Sequence, residues 1–202
     1  MARHTAKSHK IRKVEILVIQ MKIFRKIYNH ILSSKKSISK EDQWRERGVR
    51  IGKNFDAPDS VIDYCFGFLV TIGDNVTLSG TTVLAHDGST KKILGYSKVG
   101  NVVIGNNVFV GYGSIILPNV RIGNNVIVGA GTIVSKDIPD NVVVVQGKES
   151  TYRILCSYDE YVEKNKQKIN NLPVSNILFE QRSSEQQEDW RNLLGSHGGY
   201  DL

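Results

Sequence analysis

Between Ile104 and Pro139 the apolar positions recur every six residues. Cut in sixes, the segment reads IGNNVF, VGYGSI, ILPNVR, IGNNVI, VGAGTI and VSKDIP. The first place is always aliphatic (Ile104, Val110, Ile116, Ile122, Val128 and Val134), and the second is glycine in four of the six. The fifth place, Val108, Ser114, Val120, Val126, Thr132 and Ile138, is small or β-branched throughout. The same phase appears earlier in IGDNVT, LSGTTV and LAHDGS, led by Ile72, Leu78 and Leu84. Neither a helix, near a period of about 3.6, nor the alternation of one long strand produces sixes. A short strand followed by a corner does, with each six forming one side of a triangular coil and the first and fifth places pointing inward. Glycine at the second place and Asn75, Asn107 and Asn125 at the fourth suit a sharply turning backbone, the asparagines in the left-handed region. Stacked coils make parallel ladders in which each coil covers the next. The pattern therefore predicts an all-β solenoid.

Two stretches leave the register. The first, around Ala57 to Phe68, includes the irregular run Ile62-Asp63-Tyr64-Cys65-Phe66-Gly67-Phe68. The second is HDGSTKKILGYSK, from His86 to Lys98. Loops expelled from a solenoid have their ends held by rigid coils and are natural carriers of function.

Ahead of the coils, Ser39-Lys-Glu-Asp42 reads as a helix start and Gly48 as the stop of a short helix carrying Trp44. Further upstream, Ile11 to Leu32 is apolar but broken by Arg12, Lys13, Glu15, Lys22, Arg25 and Lys26, too charged to span a bilayer. It also lacks the small-residue cleavage site of a secretory signal. Met21, Phe24, Ile27, Tyr28, Ile31 and Leu32 share one face, with Lys22, Arg25, Lys26 and Asn29 on the other. That pattern fits a helix docked on protein, the favoured reading, or resting on an anionic membrane surface. After Pro139, Ser157-Tyr-Asp-Glu160 forms a capping box for a helix reaching about Ile169, and Leu172-Pro173 breaks it. A second helix is expected from Ser183 to Leu194, followed by a glycine-rich, mobile end. The expected organisation is a basic, partly helical arm over 1–48, a β-helix over 49–156 with a loop near 86–98, and a helical extension with a flexible tail over 157–202.

Composition adds limits. The 202 residues, 40% of them hydrophobic, suit one domain with appendages. The formal charge is +7, but residues 1–36 hold ten Lys or Arg against the single acid Glu15. The excess belongs to the arm, so the basic balance gives little ground for a nucleic-acid partner, and none is expected. Cys65 and Cys156 have neither metal-ligand spacing nor a disulfide framework, which fits a reducing compartment. Of five histidines only His86 lies in the repeats, too few for a three-histidine zinc site, and no metal is expected. His86, at the lip of the loop, reads either as a general base or as a hydrogen-bonded corner residue with no catalytic task. Asp63 and Asp87 are the candidates to orient it, and each also reads as an ordinary turn-forming or solvated aspartate.

The runs VTIGDNVTLSG, VLAHDGS, VVIGNNVFVGYGSIILPNVRIGNNVIVGAGTIVSKDIPDNVVV and RILCSYDEY, within Ile51 to about Tyr161, resemble the hexapeptide-repeat acyltransferases. The similarity is greatest to maltose and galactoside O-acetyltransferases and surface-polysaccharide acetyltransferases. The resemblance implies a left-handed parallel β-helix with helical N- and C-terminal appendages. It implies acetyl transfer from acetyl-CoA to a hydroxyl of a sugar or surface-polysaccharide precursor, with His86 matching the family's general base. Tyr112, Gly113 and Ala130 match positions lining the pantetheine groove, and Lys136 and Arg153 match basic positions near the CoA phosphates. Relatives commonly close the repeats with an Asn-Pro-Ala-like turn, whereas this chain has Gly147-Lys-Glu-Ser-Thr-Tyr-Arg153, which makes Lys148 an alternative phosphate ligand. The resemblance further implies a homotrimer with its site between subunits, working in the cytoplasm, with the basic arm available for contact at the inner membrane surface. Two rivals stand beside it: an amino-sugar or amino-acid N-acetyltransferase on the same fold, and a non-catalytic β-helix scaffold.

Overall fold

Three parallel ladders form the sides of a prism in the computed structural model, which describes residues 25–26, 38–148 and 151–202. The first face stacks Arg50–Ile51, Val70–Ile72, Val102–Ile104 and Arg121–Ile122. The second runs from Phe55–Asp56 through Val76–Leu78, Val108–Val110 and Val126–Val128 to Val142–Gln146. The third stacks Val61–Ile62, Thr82–Val83, Ile115–Ile116 and Ile133–Val134. This is the left-handed parallel β-helix of the hexads, with helices at its ends. Ile72, Leu78, Ile104, Val110, Ile116, Ile122, Val128 and Val134 fill its interior, none more than 2% exposed.

The asparagines at the fourth place take the left-handed backbone expected of them, with φ of 57°, 55° and 53° at Asn75, Asn107 and Asn125. Their side chains do more than turn the chain. Asn54, Asn75, Asn107, Asn125 and Asn141 form a ladder in which each amide donates to the next carbonyl oxygen at 2.8–2.9 Å. The second-place glycines let coils approach closely: a Cβ on Gly105 would lie 2.6 Å from the Gly123 carbonyl oxygen. Buried hydroxyls line another corner. Ser60 Oγ donates to Leu78 O at 2.7 Å and accepts from Thr81 N at 2.9 Å, and Ser114 Oγ likewise bridges Gly129 O and Thr132 N. These polar fifth places cost little because their hydrogen bonds are made.

The ladder yields a stability prediction. Asn107→Ala removes two side-chain hydrogen bonds and holds a Cβ-bearing residue at φ 55° without a side-chain hydrogen bond to favour it. We expect a loss of about 2 kcal/mol in urea unfolding. Asn107→Gly should lose about half as much, since glycine accepts that backbone. Equal losses would mean the backbone conformation is not what the asparagine supplies.

The corner after Leu78 is short. Val83, not Leu84, pairs with Ile116 and is fully buried, while Leu84 is half-buried. Leu84 is therefore not the inward residue that the hexad frame predicts. The corner at Ser79-Gly80-Thr81 is one residue shorter than its neighbour, with Gly80 at φ 51°. Alternation then puts Val83 and Ala85 inside and turns His86 outward.

From His86 to Val99 the chain leaves the coil. His86–Asp87 pairs antiparallel with Lys98–Val99, a short helix spans Lys91–Leu94, and the Gly100 N–H closes the base by donating to Ala85 O at 3.0 Å. Asn75 and Asn107 are consequently separated by 32 residues, against 18 between Asn107 and Asn125.

The chain divides into two units between Gln43 and Trp44, inside the helix Lys40–Glu46. Trp44 belongs to the second unit: it is buried, and its ring meets Phe55 edge-on at 6.1 Å. The amphipathic face expected over Met21 to Leu32 lies outside the described residues, apart from Arg25 and Lys26, which are helical. At the other end Tyr152–Ser157 turns back antiparallel to Val142–Gln146, and helices follow at Tyr158–Ile169 and Ser184–Leu194, each with a complete capping box. The last residues are not the loose tail that their glycines suggest. Tyr200–Asp201 pairs with Val174–Ser175, the Asp201 carboxylate holds Arg182, and Tyr200 donates its hydroxyl to Asn165 at 2.9 Å. No helix among the described residues is long and apolar enough to cross a membrane.

Candidate active site

His86 and Asp63, 23 residues apart in sequence, meet because one coil stacks on the next. The irregular first coil delivers Asp63 just after Val61–Ile62, and its N–H donates to Val83 O in the coil below at 2.9 Å. The Asp63 side chain is completely buried and every direction of its carboxylate is used. Oδ1 accepts from the Cys65 and Phe66 N–H groups at 3.0 Å each, bending the chain sharply. Oδ2 accepts from Ala85 N–H at 2.9 Å and lies 2.5 Å from His86 Nδ1. Burial pushes this carboxyl up, but the hydrogen bonds from His86, Ala85 and Phe66, together with the charge of His86, outweigh it and hold it below the ordinary 3.8.

Asp63 is thus the ionised partner. The Nδ1 hydrogen is assigned to the bond with it, which leaves the lone pair on Nε2. Among the described residues Nε2 has no hydrogen-bond partner, and the His86 side chain is one-third exposed. Phe66 fixes the ring from its side, with centroids 4.9 Å apart and planes at 40°. An imidazole with one nitrogen anchored to a buried carboxylate and the other open to solvent is equipped to take a proton from a bound hydroxyl.

Asp87 does not orient His86. Successive side chains of an extended segment point to opposite faces, and Asp87 turns to accept from Ser89 N–H at 2.9 Å and from Lys98 Nζ at 3.4 Å. The Ser89 bonds first, then Lys98, keep its carboxyl below the usual value.

The other candidate positions fall at three places. Tyr112, Gly113 and Ala130 share the corner between the second and third faces. There Gly131 N–H donates to Tyr112 O at 2.9 Å, and Gly113 N–H to Gly80 O at 3.2 Å. A Cβ on Gly111 would lie 2.5 Å from Ala130 N, so the coils touch at this corner, and Tyr112 remains 67% exposed over Gly80. Lys136 lies at the corner between the third and first faces, the corner that also carries His86, with Nζ 5.4 Å from the Tyr152 ring centroid. Arg153 follows Tyr152 in the reversed strand, paired across from Val145, and Lys148 is exposed at the preceding turn. Within one chain, therefore, His86 and the Tyr112 corner occupy different corners of the prism. Among the described residues no three His, Cys, Asp or Glu side chains gather as a metal site.

Sequence reasoning missed Arg47 and Phe66. Arg47 stacks over Tyr64 at 4.0 Å, beside the turn that Asp63 organises. The aromatic run Tyr64–Phe68 was the available signal for such contacts.

Residues 93–136 match the family model described as bacterial transferase hexapeptide (six repeats). Protein CapG of Staphylococcus aureus is 38% identical over 151 residues, covering 71% of this chain and 84% of CapG. Among solved structures, a maltose O-acetyltransferase from Clostridium difficile 630 is 26% identical, with a TM-score of 0.47, covering 70% of this chain and 88% of that one. A hexapeptide-repeat containing acetyltransferase of Vibrio cholerae O1 biovar eltor, complexed with acetyl coenzyme A, is 23% identical with a TM-score of 0.45, covering 63% of this chain and 82% of that one.

Proposed function

Because the chain belongs to the hexapeptide-repeat acyltransferase family, we propose that it moves an acetyl group from acetyl-CoA to a hydroxyl of a sugar or surface-polysaccharide precursor. The observation that carries this reading is the His86 ring, anchored through Nδ1 to buried Asp63 and open at Nε2. Nε2 takes the acceptor's hydroxyl proton as the oxygen attacks the thioester carbonyl carbon. The C–S bond then breaks, and the imidazolium returns that proton to the departing thiolate. A thioester is already activated, so positioning and one proton transfer account for most of what the protein must supply.

In this reading Tyr112, Gly113 and Ala130 line the groove for the donor's pantetheine arm, where small residues admit close backbone approach. Lys136, Lys148 and Arg153 are the cations available to its phosphates, through charge-assisted contacts. The separation of His86 from the Tyr112 corner is what a site shared between subunits of a homotrimer would require, with His86 of one protomer facing the groove of its partner. A donor made inside the cell assigns the reaction to the cytoplasm.

The test is a screen for acetyl-CoA-dependent transfer over neutral sugars, amino sugars and polysaccharide precursors. Acetyl ester products are expected, with no consumption on amine-only acceptors. Amide products instead would overturn O-transfer, and the absence of acetyl-CoA binding would favour a scaffold.

A further inference from the structure

We propose that the acceptor carries a negative charge, a carboxylate or phosphate on the sugar, and that Arg47 binds it at the rim of the His86 site. The proposal rests on His86 as the acyl-transfer base and adds the chemical class of what is brought to it.

Arg47 is half-buried, and its guanidinium carbon lies over the Tyr64 ring, 4.0 Å from the centroid. Among the described residues no carboxylate or carbonyl oxygen engages that guanidinium. The contrast with Arg182 is direct. Arg182 also stacks on an aromatic ring, Trp190 at 5.3 Å, but its donors are spent on Asp201, Ser175 and the Ile177 carbonyl oxygen. The ring contact holds the Arg47 side chain in place without using its fork of N–H donors, which can receive a carboxylate or phosphate through two bonds.

The position is tied to the catalytic segment. A Cβ on Gly67 would lie 3.1 Å from Arg47 O, and one on Gly48 would lie 2.8 Å from Phe68 Cβ. Arg47 and Gly48 are therefore packed against the same turn that presents Asp63 and Phe66 to His86. The two aspartates nearest His86 in the fold are already engaged. Asp63 is buried and fully hydrogen-bonded, and Asp87 is engaged by Lys98. Lys91 and Lys92 of the loop are exposed, with no acidic partner among the described residues. This occurs although the chain outside residues 1–36 carries more acids than bases. A neutral hydroxyl acceptor gives no use for a ring-held guanidinium without an acidic partner among the described residues, and an anionic one does.

Calorimetric titration of the full chain with glucuronic acid, glucose 1-phosphate and glucose tests the idea on wild type, Arg47→Gln, Arg47→Lys and Tyr64→Leu. Wild type is expected to bind at least one of the anionic sugars about ten-fold more tightly than glucose. That preference should fade in high salt, disappear in Arg47→Gln and persist in part in Arg47→Lys. Which anion binds more tightly identifies carboxylate or phosphate as the source. Tyr64→Leu should weaken the preference by a second route that leaves the Arg47 side chain in place. Equal binding of all three sugars by wild type, or an anion preference that survives Arg47→Gln, overturns the proposal. His86→Ala should retain the preference while losing transfer. Retained transfer in that variant would instead sink the base assignment and leave the binding result standing.

Discussion

Replacing His86 with alanine should lower the turnover of acetyl transfer by roughly 10²–10⁴-fold, the range contributed by a positioned general base. Acetyl-CoA affinity should change little, and stability should fall by about 1 kcal/mol, because Asp63 loses one of its four hydrogen bonds but keeps those from Cys65, Phe66 and Ala85. The ring is one-third exposed, and its contacts are the bond to Asp63 and the packing of Phe66, so truncation opens no internal cavity. Thiol release measured at saturating donor, with donor affinity read separately by calorimetry, separates the two effects. Added imidazole should restore part of the lost rate to His86→Ala, because the missing group is a proton acceptor rather than a structural brace. A variant that turns over at the wild-type rate would show that the proton leaves by another route.

Asp63→Asn should damage both activity and fold. The carboxylate accepts four hydrogen bonds, from Cys65, Phe66 and Ala85 N–H and from His86 Nδ1. An amide has only one accepting end, so whichever way it is turned its NH2 faces a donor. We expect a stability loss of about 3 kcal/mol near neutral pH, from broken charge-assisted bonds and a buried donor left unpaired. Turnover should fall on the order of 10²-fold or more, because the imidazole loses the partner that fixes its tautomer. The Michaelis constant for acetyl-CoA should be nearly unchanged, which a general loosening of the fold would not give. The effect also has a pH signature. The folded carboxyl is held below 3.8, so its contribution is fully present above that value and is lost as pH falls through the lower folded value. Wild type should therefore exceed Asp63→Asn in stability at neutral pH, and the gap should close in acid. Urea unfolding at both extremes measures it, and a gap independent of pH would mean that Asp63 is not ionised in the native state.

Much of this architecture is legible in the chain because a six-residue period leaves few solutions. Aliphatic first places must point inward, fourth places must turn, and Asn107 and Asn125 do so with their φ in the left-handed region. The helix starts at Ser157 and Ser183 were readable for a similar reason, since a capping box is local. What escaped was set by non-local geometry. The short corner at Gly80 moves the inward position from Leu84 to Val83, and no local composition marks it. Between Asp63 and Asp87, both candidates from the sequence, the choice also rests on non-local geometry: coil stacking brings Asp63 over His86 while strand alternation turns Asp87 aside. The anchored C-terminus depends on an ion pair between Arg182 and Asp201, which the glycines around it conceal.

The base of the His86 loop has an evolutionary consequence. The Gly100–Ala85 hydrogen bond and the pairing of His86 with Val99 bring the two ends together at the coil's edge. Chain inserted between them leaves every rung of the ladders in register. Its entropic cost grows only with the logarithm of loop length, about 0.6 kcal/mol for each doubling. Residues 88–97 can therefore be lengthened, shortened or exchanged almost independently of the coils. Descendants of such a chain could acquire new acceptors by recombining one surface segment, while the Asp63–His86 pair and the coils beneath it are inherited intact.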